Sequence, residues 1–169
     1  MSDRFYGKYR GKVTDNRDPL QMGRIRAKVP DVLGDQESGW AMPCFPAAGL
    51  GMGIFALPKV DAGVWIEFEQ GQPDYPLWSG AWYGNVGELP VALLVPPMQQ
   101  DGKIILRTAG GTMLLLDDTP GLGGITLETA NGQKIKLTAA GIEIDNGMGS
   151  KITLQGPSVN VNNGALEIM

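Results

Sequence analysis

The residues with side chains able to do chemistry are few in this chain. Glu67 and Glu69 are two positions apart, and Asp117 and Asp118 are adjacent. Paired carboxylates could serve acid–base or glycoside-hydrolysing chemistry. The two glutamates, however, fall on the exposed side of a predicted strand, and the two aspartates fall in a predicted turn, where aspartate is common. We therefore interpret both pairs as structural.

Two further features suggest chemistry only at first inspection. Gly49, Gly51 and Gly53 form a glycine-rich run, but no helix pattern follows it, and a phosphate-binding loop requires a helix N-terminus. We interpret this run as a loop that connects strands. Cys44 has no neighbouring base to activate it, so we interpret it as a small buried hydrophobic residue.

Composition excludes several classes of catalytic site. The chain has 169 residues, of which 43% are hydrophobic and 19% are charged, as in globular proteins. It has no histidine, which rules out a Ser-His-Asp triad and a histidine-ligated zinc site. The single cysteine can form no disulfide within the chain. We therefore expect a protein that is not an enzyme and that needs no cofactor or metal ion.

The first residues lack the apolar core of a signal peptide. No apolar run approaches the roughly 20 residues that a membrane-spanning helix needs. We therefore expect synthesis in the cytoplasm without a signal peptide.

Aromatic residues divide the chain into two parts. All four Trp, four Tyr and four Phe lie between Phe5 and Tyr83, and aromatic side chains dominate ordinary cores. The later part is rich in Ile, Leu and Val and must be stabilised differently, as in stacked repeats. Pro90, Pro96 and Pro97 lie between the two parts and disfavour both helix and central strand. We predict a barrel domain at residues 1–84, a proline-rich linker at 85–101 and a needle-like domain at 102–169.

The first part has the alternating pattern of short strands. Val64, Ile66 and Phe68 are predicted to face inward, with Trp65 and Glu67 on the other side. About five twisted strands within so short a segment fit a small closed barrel better than an open sheet. The predicted strands are residues 6–13, 23–29, 53–57, 63–69 and 77–83.

The second part consists of short apolar pairs separated by turn-forming residues. First members of successive pairs are 10, 11, 10, 7, 10, 7 and 7 residues apart, and Asn-Gly or other glycine-rich turns lie between them. Each step therefore predicts one short strand and one turn. The pairs are Ile104/Leu106, Leu114/Leu116, Ile125/Leu127, Ile135/Leu137, Ile142/Ile144, Ile152/Leu154, Val159/Val161 and Leu166/Ile168.

Each of these strands presents only two apolar side chains on one face. At about 25 cal/mol per Å², one chain of such strands does not offset an ordering cost of about 1–2 kcal/mol per residue. The apolar stripe must therefore meet another surface, and the simplest is a second copy in a closed cyclic oligomer. Three chains around one axis would enclose the stripe and leave a polar outer face. The number three does not follow from these residues alone.

Positive charge is concentrated near the N-terminus. Residues 1–30 contain eight Lys or Arg and three Asp, a net charge of +5. One interpretation is a surface for nucleic acid, on which Phe5, Tyr6 and Tyr9 would stack bases. The interpretation that we favour is the solvated face of two strands.

Several segments together resemble a known family. They are residues 8–19, 22–25, 29–34, 40–43, 48–53, 64–68 and 73–78 of the predicted barrel, and residues 106–111 and 116–121 of the later part. In this order they resemble the oligonucleotide/oligosaccharide-binding (OB) type domain and the following spike of phage baseplate assembly protein V and VgrG spike proteins. No single motif carries the resemblance, and it extends over nearly the whole chain.

The resemblance implies an all-β homotrimer: an OB-type barrel followed by an intertwined triple-stranded β-helix. Such a protein is the central spike of a phage tail, a type VI secretion system or an extracellular contractile particle. It would dock on a hub protein, pierce the target envelope and carry a PAAR-type tip protein. The candidate tip-docking residues are Leu166, Ile168 and Met169, and the candidate hub contacts are Phe5, Tyr6, Lys8 and Arg10.

Three features found in some members of this family are not expected here. Only a short linker separates the barrel from the spike, so we expect no lysozyme domain, and we expect the hub to be a separate protein. No histidine is present to bind an iron ion at the apex. We expect no specific nucleic-acid partner, because a fold does not fix a function. The alternatives are an OB-fold module for single-stranded nucleic acid with an oligomerising β tail, and an enzyme acting on the cell wall.

Overall fold

A computed structural model describes residues 3–90 and 101–168. The chain divides into two compact units, Met1–Asn85 and Val86–Met169, which are described separately below. Most of the predicted linker, residues 91–100, lies outside the described residues, so the linker stays a prediction. No helix in the described part of the chain is long and apolar enough to cross a membrane.

The first unit is built around a five-stranded sheet. Its strands run in the order β2-β1-β6-β7-β3. Neighbours are antiparallel except β3 and β7, which are parallel. The strands β4 and β5 form a separate hairpin. The elements are β1 (Tyr9–Asp15), β2 (Arg26–Lys28), α1 (Pro30–Leu33), β3 (Met42–Pro43), β4 (Ala48–Gly49), β5 (Met52–Gly53), β6 (Gly63–Phe68) and β7 (Pro76–Trp82).

A backbone bridge joins the two ends of this sheet. Ile25 precedes β2 and Ala41 precedes β3, and the two residues exchange backbone hydrogen bonds of 3.2 and 2.7 Å. The sheet therefore curves until its end strands meet, as the barrel prediction requires. Closure removes sheet edges that would otherwise be exposed.

The core lies inside this curved sheet. Val64, Ile66 and Phe68 are buried, as the alternation in the sequence predicted. Trp78 is also buried, and its indole N–H donates to the carbonyl of Gly23 at 3.0 Å, which satisfies its one polar group. The remaining core residues are Val13, Ile25, Ala27, Val29 and Ala41.

One predicted strand of this unit is wrong, and three elements, α1, β3 and β4, were missed. The glycine-rich run that we interpreted as a loop forms the β4–β5 hairpin. Of residues 53–57, only Gly53 is in a strand. The N–H of Ile54 bonds to the carbonyl of Ala47 at 3.0 Å and closes the hairpin, and Phe55 then packs on Phe45 with ring centroids 5.2 Å apart. The elements β3 and α1 are too short to show a periodic pattern of apolar residues in the sequence.

The remaining strand boundaries of the first unit differ from prediction by a few residues. The structure has Tyr9–Asp15 for predicted 6–13, Arg26–Lys28 for 23–29, and Pro76–Trp82 for 77–83. Strand β1 begins at Tyr9 because that residue pairs with Ile66 of β6.

The prediction that Cys44 is buried is wrong. Cys44 directly follows β3, and its N–H donates to the carbonyl of Trp78 at 2.8 Å. Side chains alternate at the end of this strand, so the half-buried Phe45 packs against the core while the Cys44 side chain is exposed.

The second unit is one antiparallel meander of eight strands. Each strand pairs with the strand before it and the strand after it, in the order β15 to β8. Long steps in the sequence correspond to long turns, such as residues 108–112, and short steps to two-residue turns at 139–140 and 156–157. The strands are β8 (Lys103–Arg107), β9 (Met113–Asp117), β10 (Gly124–Glu128), β11 (Lys134–Thr138), β12 (Gly141–Asp145), β13 (Lys151–Gln155), β14 (Ser158–Val161) and β15 (Leu166–Ile168).

Candidate functional site: the apolar face of the C-terminal sheet

The register of the meander aligns the apolar pairs into two continuous columns on one face. Because neighbouring strands are antiparallel, the first member of one pair lies opposite the second member of the next. We call this surface the two-column face. One column is Ile104, Leu116, Ile125, Leu137, Ile142, Leu154 and Val159, and the other is Leu106, Leu114, Leu127, Ile135, Ile144, Ile152, Val161 and Leu166.

Most side chains of this face are exposed within a single chain. Ile104 and Leu106, on the edge strand β8, are 62% and 66% exposed, and Ile142 in the middle of the sheet is 39% exposed. Soluble monomers rarely expose contiguous apolar patches larger than a few hundred Å². A surface that is continuous over eight strands is therefore typical of an interface.

The opposite face is polar along most of the sheet. Glu143 on β12 binds the Lys151 ammonium at 2.5 Å, and the Lys134 ammonium lies 3.9 Å away. The ion pair with Glu143 raises the pKa of Lys151. These cross-strand pairs hold neighbouring strands in register without adding apolar surface.

The expectation of a wholly polar outer face is wrong at the first two strands. Ile105 lies opposite Leu115 on this face, both are half-buried, and Met113 is buried. The run Met113–Asp117 places apolar residues on both faces of β9, so alternation does not distinguish them.

A buried ion pair ties β8 to β9 at one edge of this sheet. The Lys103 side chain is 3% exposed, and its ammonium binds Asp117 and the Thr119 hydroxyl. Asp117 also accepts the N–H of Thr119 at 2.9 Å. The hydrogen bond from Lys103, followed by those from Thr119, lowers the pKa of Asp117 to about 2. Asp117 therefore serves the packing of the first strands, consistent with its structural interpretation.

The predicted tip-docking residues lie at the last strand. Leu166 is exposed and pairs with Val161, and Ile168 pairs with Val159 through the backbone. Met169 lies outside the described residues. The docking role of this end stays a prediction.

The candidate hub contacts lie in different environments. Phe5 packs against Tyr9 and Phe68 at the edge of the barrel core. Tyr6 is exposed. The ammonium of Lys8 binds the Glu67 carboxylate. The structure therefore leaves Tyr6 more accessible than Phe5, and the hub contact stays a prediction.

Several basic residues of the first unit contact tryptophan rings or carboxylates. The Arg10 guanidinium lies 5.2 Å from the Trp82 ring centroid, and that of Arg26 lies 4.8 Å from the Trp40 ring centroid. Arg26 also binds Glu37 at 3.0 Å. These contacts use both the cations and the aromatic faces that a nucleic acid would need.

Of the candidate pair Glu67 and Glu69, the Glu67 carboxylate has structural contacts, whereas Glu69 contributes through its backbone. Glu67 accepts hydrogen bonds from Lys8 and Ser79, and these lower its pKa. Glu69 begins a one-turn 3-10 helix, and its N–H donates to the Tyr75 carbonyl at 2.9 Å. Within the described residues, no group of acidic or cysteine side chains could hold a metal ion.

One charged residue that the sequence did not single out organises a loop of the first unit. Asp18 is buried and accepts the backbone N–H groups of Leu20, Met22 and Arg24 at 2.9, 2.8 and 3.2 Å. The Arg24 guanidinium also binds it at 2.7 Å. The hydrogen bonds from the Arg24 side chain, together with those from the backbone, hold the pKa of Asp18 well below its ordinary value. The Asp18-Pro19 dipeptide is typical of a turn, but it does not indicate that the Asp18 side chain anchors the loop.

Two family models match the chain, one for each unit. Residues 9–83 match the type VI secretion system/phage-baseplate injector OB domain. Residues 103–167 match the phage baseplate V C-terminal trimerisation domain. A comparison with curated proteins finds no match.

Fold and matches together define a two-domain structural component of an injection baseplate. The chain belongs to the phage baseplate V family of spike proteins. Membership confirms the resemblance seen in the sequence and an all-β fold in which an OB-type domain is followed by a trimerisation domain. The intertwined triple-stranded β-helix stays a prediction. A trimerisation domain supports a homotrimer, and both families are structural baseplate proteins rather than enzymes.

Proposed function

We propose that this protein is the central spike of a contractile injection system and acts mechanically, without catalysis. Three chains bring their two-column faces together around one axis and form a needle. The OB-type domains dock on the hub beneath the tube, and the needle leads the penetration of the target envelope. The proposal covers assembly into a phage tail, a type VI secretion system or an extracellular particle.

The observation that carries this proposal is the continuity of the two-column face. It extends without interruption from β8 to β15. Burying it against sister chains gains about 25 cal/mol per Å² of apolar surface. A dry core of Ile, Leu and Val with hydrogen-bonded strands around it is stiff, because close-packed interiors have low compressibility. A stiff needle can transmit axial force from a contracting sheath.

Hub docking and tip binding form the finer part of this proposal. The exposed Tyr6 and the ion-paired Lys8 belong to the surface proposed for the hub. At the other end, β15 leaves one strand edge unpaired in the described part of the chain. An unpaired edge with Leu166 beside it offers backbone hydrogen bonds and apolar contact to a tip protein of the PAAR type.

Light scattering of the purified chain at micromolar concentration tests the proposed assembly. We expect a mass three times that of the 18.0 kDa chain. Electron microscopy of the parent particle should then locate the trimer on the axis at the baseplate end. A monomeric chain, or a trimer absent from this position, would contradict the proposal.

A further inference from the structure

The longest uncharged segment of the first unit lies on its surface. Residues 41–58 contain only apolar residues, glycine, proline and Cys44. The β4–β5 hairpin lies in this segment, and its tip residue Leu50 is fully exposed at 106%. Met52, Ile54 and Phe55 are exposed as well. A contiguous apolar patch of this kind marks an interaction site, because solvent exposure of so much apolar surface is unfavourable.

Backbone geometry fixes the shape of this hairpin. Gly53 has φ +151°, and a Cβ there would lie 2.6 Å from the Ala47 carbonyl oxygen, so only glycine fits. The segment that leads into the hairpin packs on the core through Phe45, whose ring centroid lies 5.4 Å from that of Trp78. The Gly53 conformation and the contact between Phe45 and Trp78 therefore fix the hairpin, so that its tip residue Leu50 projects from the barrel.

An open groove of about 560 Å³ lies beside the hairpin tip. Met22, Phe45, Met52 and Phe55 are among the residues that line it. Asp18 fixes the Met22 wall through the 2.8 Å hydrogen bond to its N–H. Leu50 does not line the groove. Each first unit thus has both a projecting apolar side chain and an apolar recess.

We infer that Leu50 of one chain inserts into the groove of the neighbouring chain, so that the hairpins link the three first units in a ring. The inference rests on the trimeric assembly proposed above. A knob that fits a recess on the next copy gives a heterologous contact, and a threefold rotation closes such contacts.

The sister chain is favoured as the occupant for two reasons. A trimerised second unit holds three copies of the first unit at an effective concentration on the order of mM, because all are covalently joined to it. Interfaces between permanent subunits are also more apolar and poorer in charge than interfaces that form later. The absence of charged residues across residues 41–58 is typical of an interface between permanent subunits.

A photo-crosslinking amino acid at position 50 of the full chain tests this inference. We expect crosslinked species at two and three times the 18.0 kDa chain mass. Mass spectrometry should identify the partner peptide within residues 41–58 or at Met22. The same crosslinker at Tyr75, which is also exposed in the first unit, should give no such species.

Leu50→Asp provides a second measurement. Because Leu50 is fully exposed within its own chain, this substitution removes no contact inside the fold. We expect the trimer mass to be unchanged and the unfolding midpoint of the first unit, followed by tryptophan fluorescence, to fall. The matched control Val60→Asp, at another exposed aliphatic residue of the same unit, should leave the midpoint unchanged.

The outcomes separate this inference from the proposed function. A trimer that gives no crosslink between sister chains, or that crosslinks through position 50 only to a hub protein in assembled particles, overturns the inference alone. An unchanged midpoint in Leu50→Asp also overturns it. A monomeric chain overturns the proposed function and the inference together.

Discussion

Each of the two units has a sheet with an apolar face, and the units differ in how that face is covered. In the first unit the sheet curves until Ile25 and Ala41 meet, and the apolar residues of its inner face are buried within one chain. In the described residues of the second unit, eight strands follow one another without such a return contact, and the two-column face remains exposed. Alternation alone therefore does not decide whether a domain is self-sufficient. What decides is whether the sheet covers its own apolar face.

The largest expected effect comes from a charge on the two-column face. Ile142→Asp places a carboxylate between Leu137 and Leu154. In a trimer this charge is buried without a partner, at a cost on the order of 3 kcal/mol or more per chain. We expect loss of the trimer in light scattering, with a normal tryptophan spectrum because every tryptophan lies in the first unit.

Glu143→Ala is the matched control, since Glu143 is adjacent in sequence and lies on the opposite face. It removes the ion pair with Lys151, a solvent-screened surface contact whose loss should have little effect on the trimer. Ile152→Asp compared with Lys151→Ala repeats the comparison on β13. Equal tolerance of all four substitutions would show that the two-column face is not an interface.

A cavity in the barrel core should destabilise the first unit and leave the trimer intact, which is the converse of the effect expected from Ile142→Asp. Ile66 is fully buried within one chain, so Ile66→Ala should destabilise the first unit by about 3 kcal/mol. Denaturation followed by tryptophan fluorescence measures this, and the trimer mass should not change. The control is Val60→Ala, at an exposed position of the same unit. Dissociation of the trimer by Ile66→Ala would argue that the two units are not independent in assembly.

Much of the difference between the two units could be predicted from the sequence, because the apolar residues of each unit recur at a regular spacing. Alternation identified Val64, Ile66 and Phe68 as inward-facing, and the structure buries all three. Step lengths in the second part predicted its turns, because a five-residue strand plus the turn at residues 108–112 gives the observed step of 10. Local patterns are reliable where one face of a strand is apolar and the other is not.

The predictions that were wrong concern features that depend on contacts between residues far apart in the sequence. The predicted strand 53–57 has the right residue types, yet Phe55 packs on Phe45 instead of extending a sheet. The exposure of Cys44 follows from which side of β3 faces Trp78. The two-column register likewise follows from antiparallel pairing of all eight strands, which no single apolar pair specifies.

Glycines at one edge of the second sheet allow strands to approach closely. Gly124 has φ +151°, and a Cβ there would lie 1.9 Å from the Leu137 carbonyl oxygen. Gly124→Ala should therefore strain the β10–β11 pairing, at a cost of about 2 kcal/mol. We expect faster amide hydrogen exchange in β10 and β11 and none of this effect from Ala140→Gly in an exposed turn. Unchanged exchange rates would mean that the two strands can separate at this edge without cost.

The smallest effect concerns acid stability at the Lys103–Asp117 pair. The pKa of Asp117 is lowered to about 2 from 3.8, so its ionised form contributes stability above pH 4 that is lost as the pH falls through 2. Asp117→Asn lacks this contribution and should be less stable by about 1 kcal/mol at pH 7. Far-UV circular dichroism during denaturation measures both proteins, and their difference should shrink between pH 4 and pH 2. Asp118→Asn, at the exposed neighbouring position, is the control, and a pH-independent difference for Asp117→Asn would indicate that packing rather than charge holds β8 to β9.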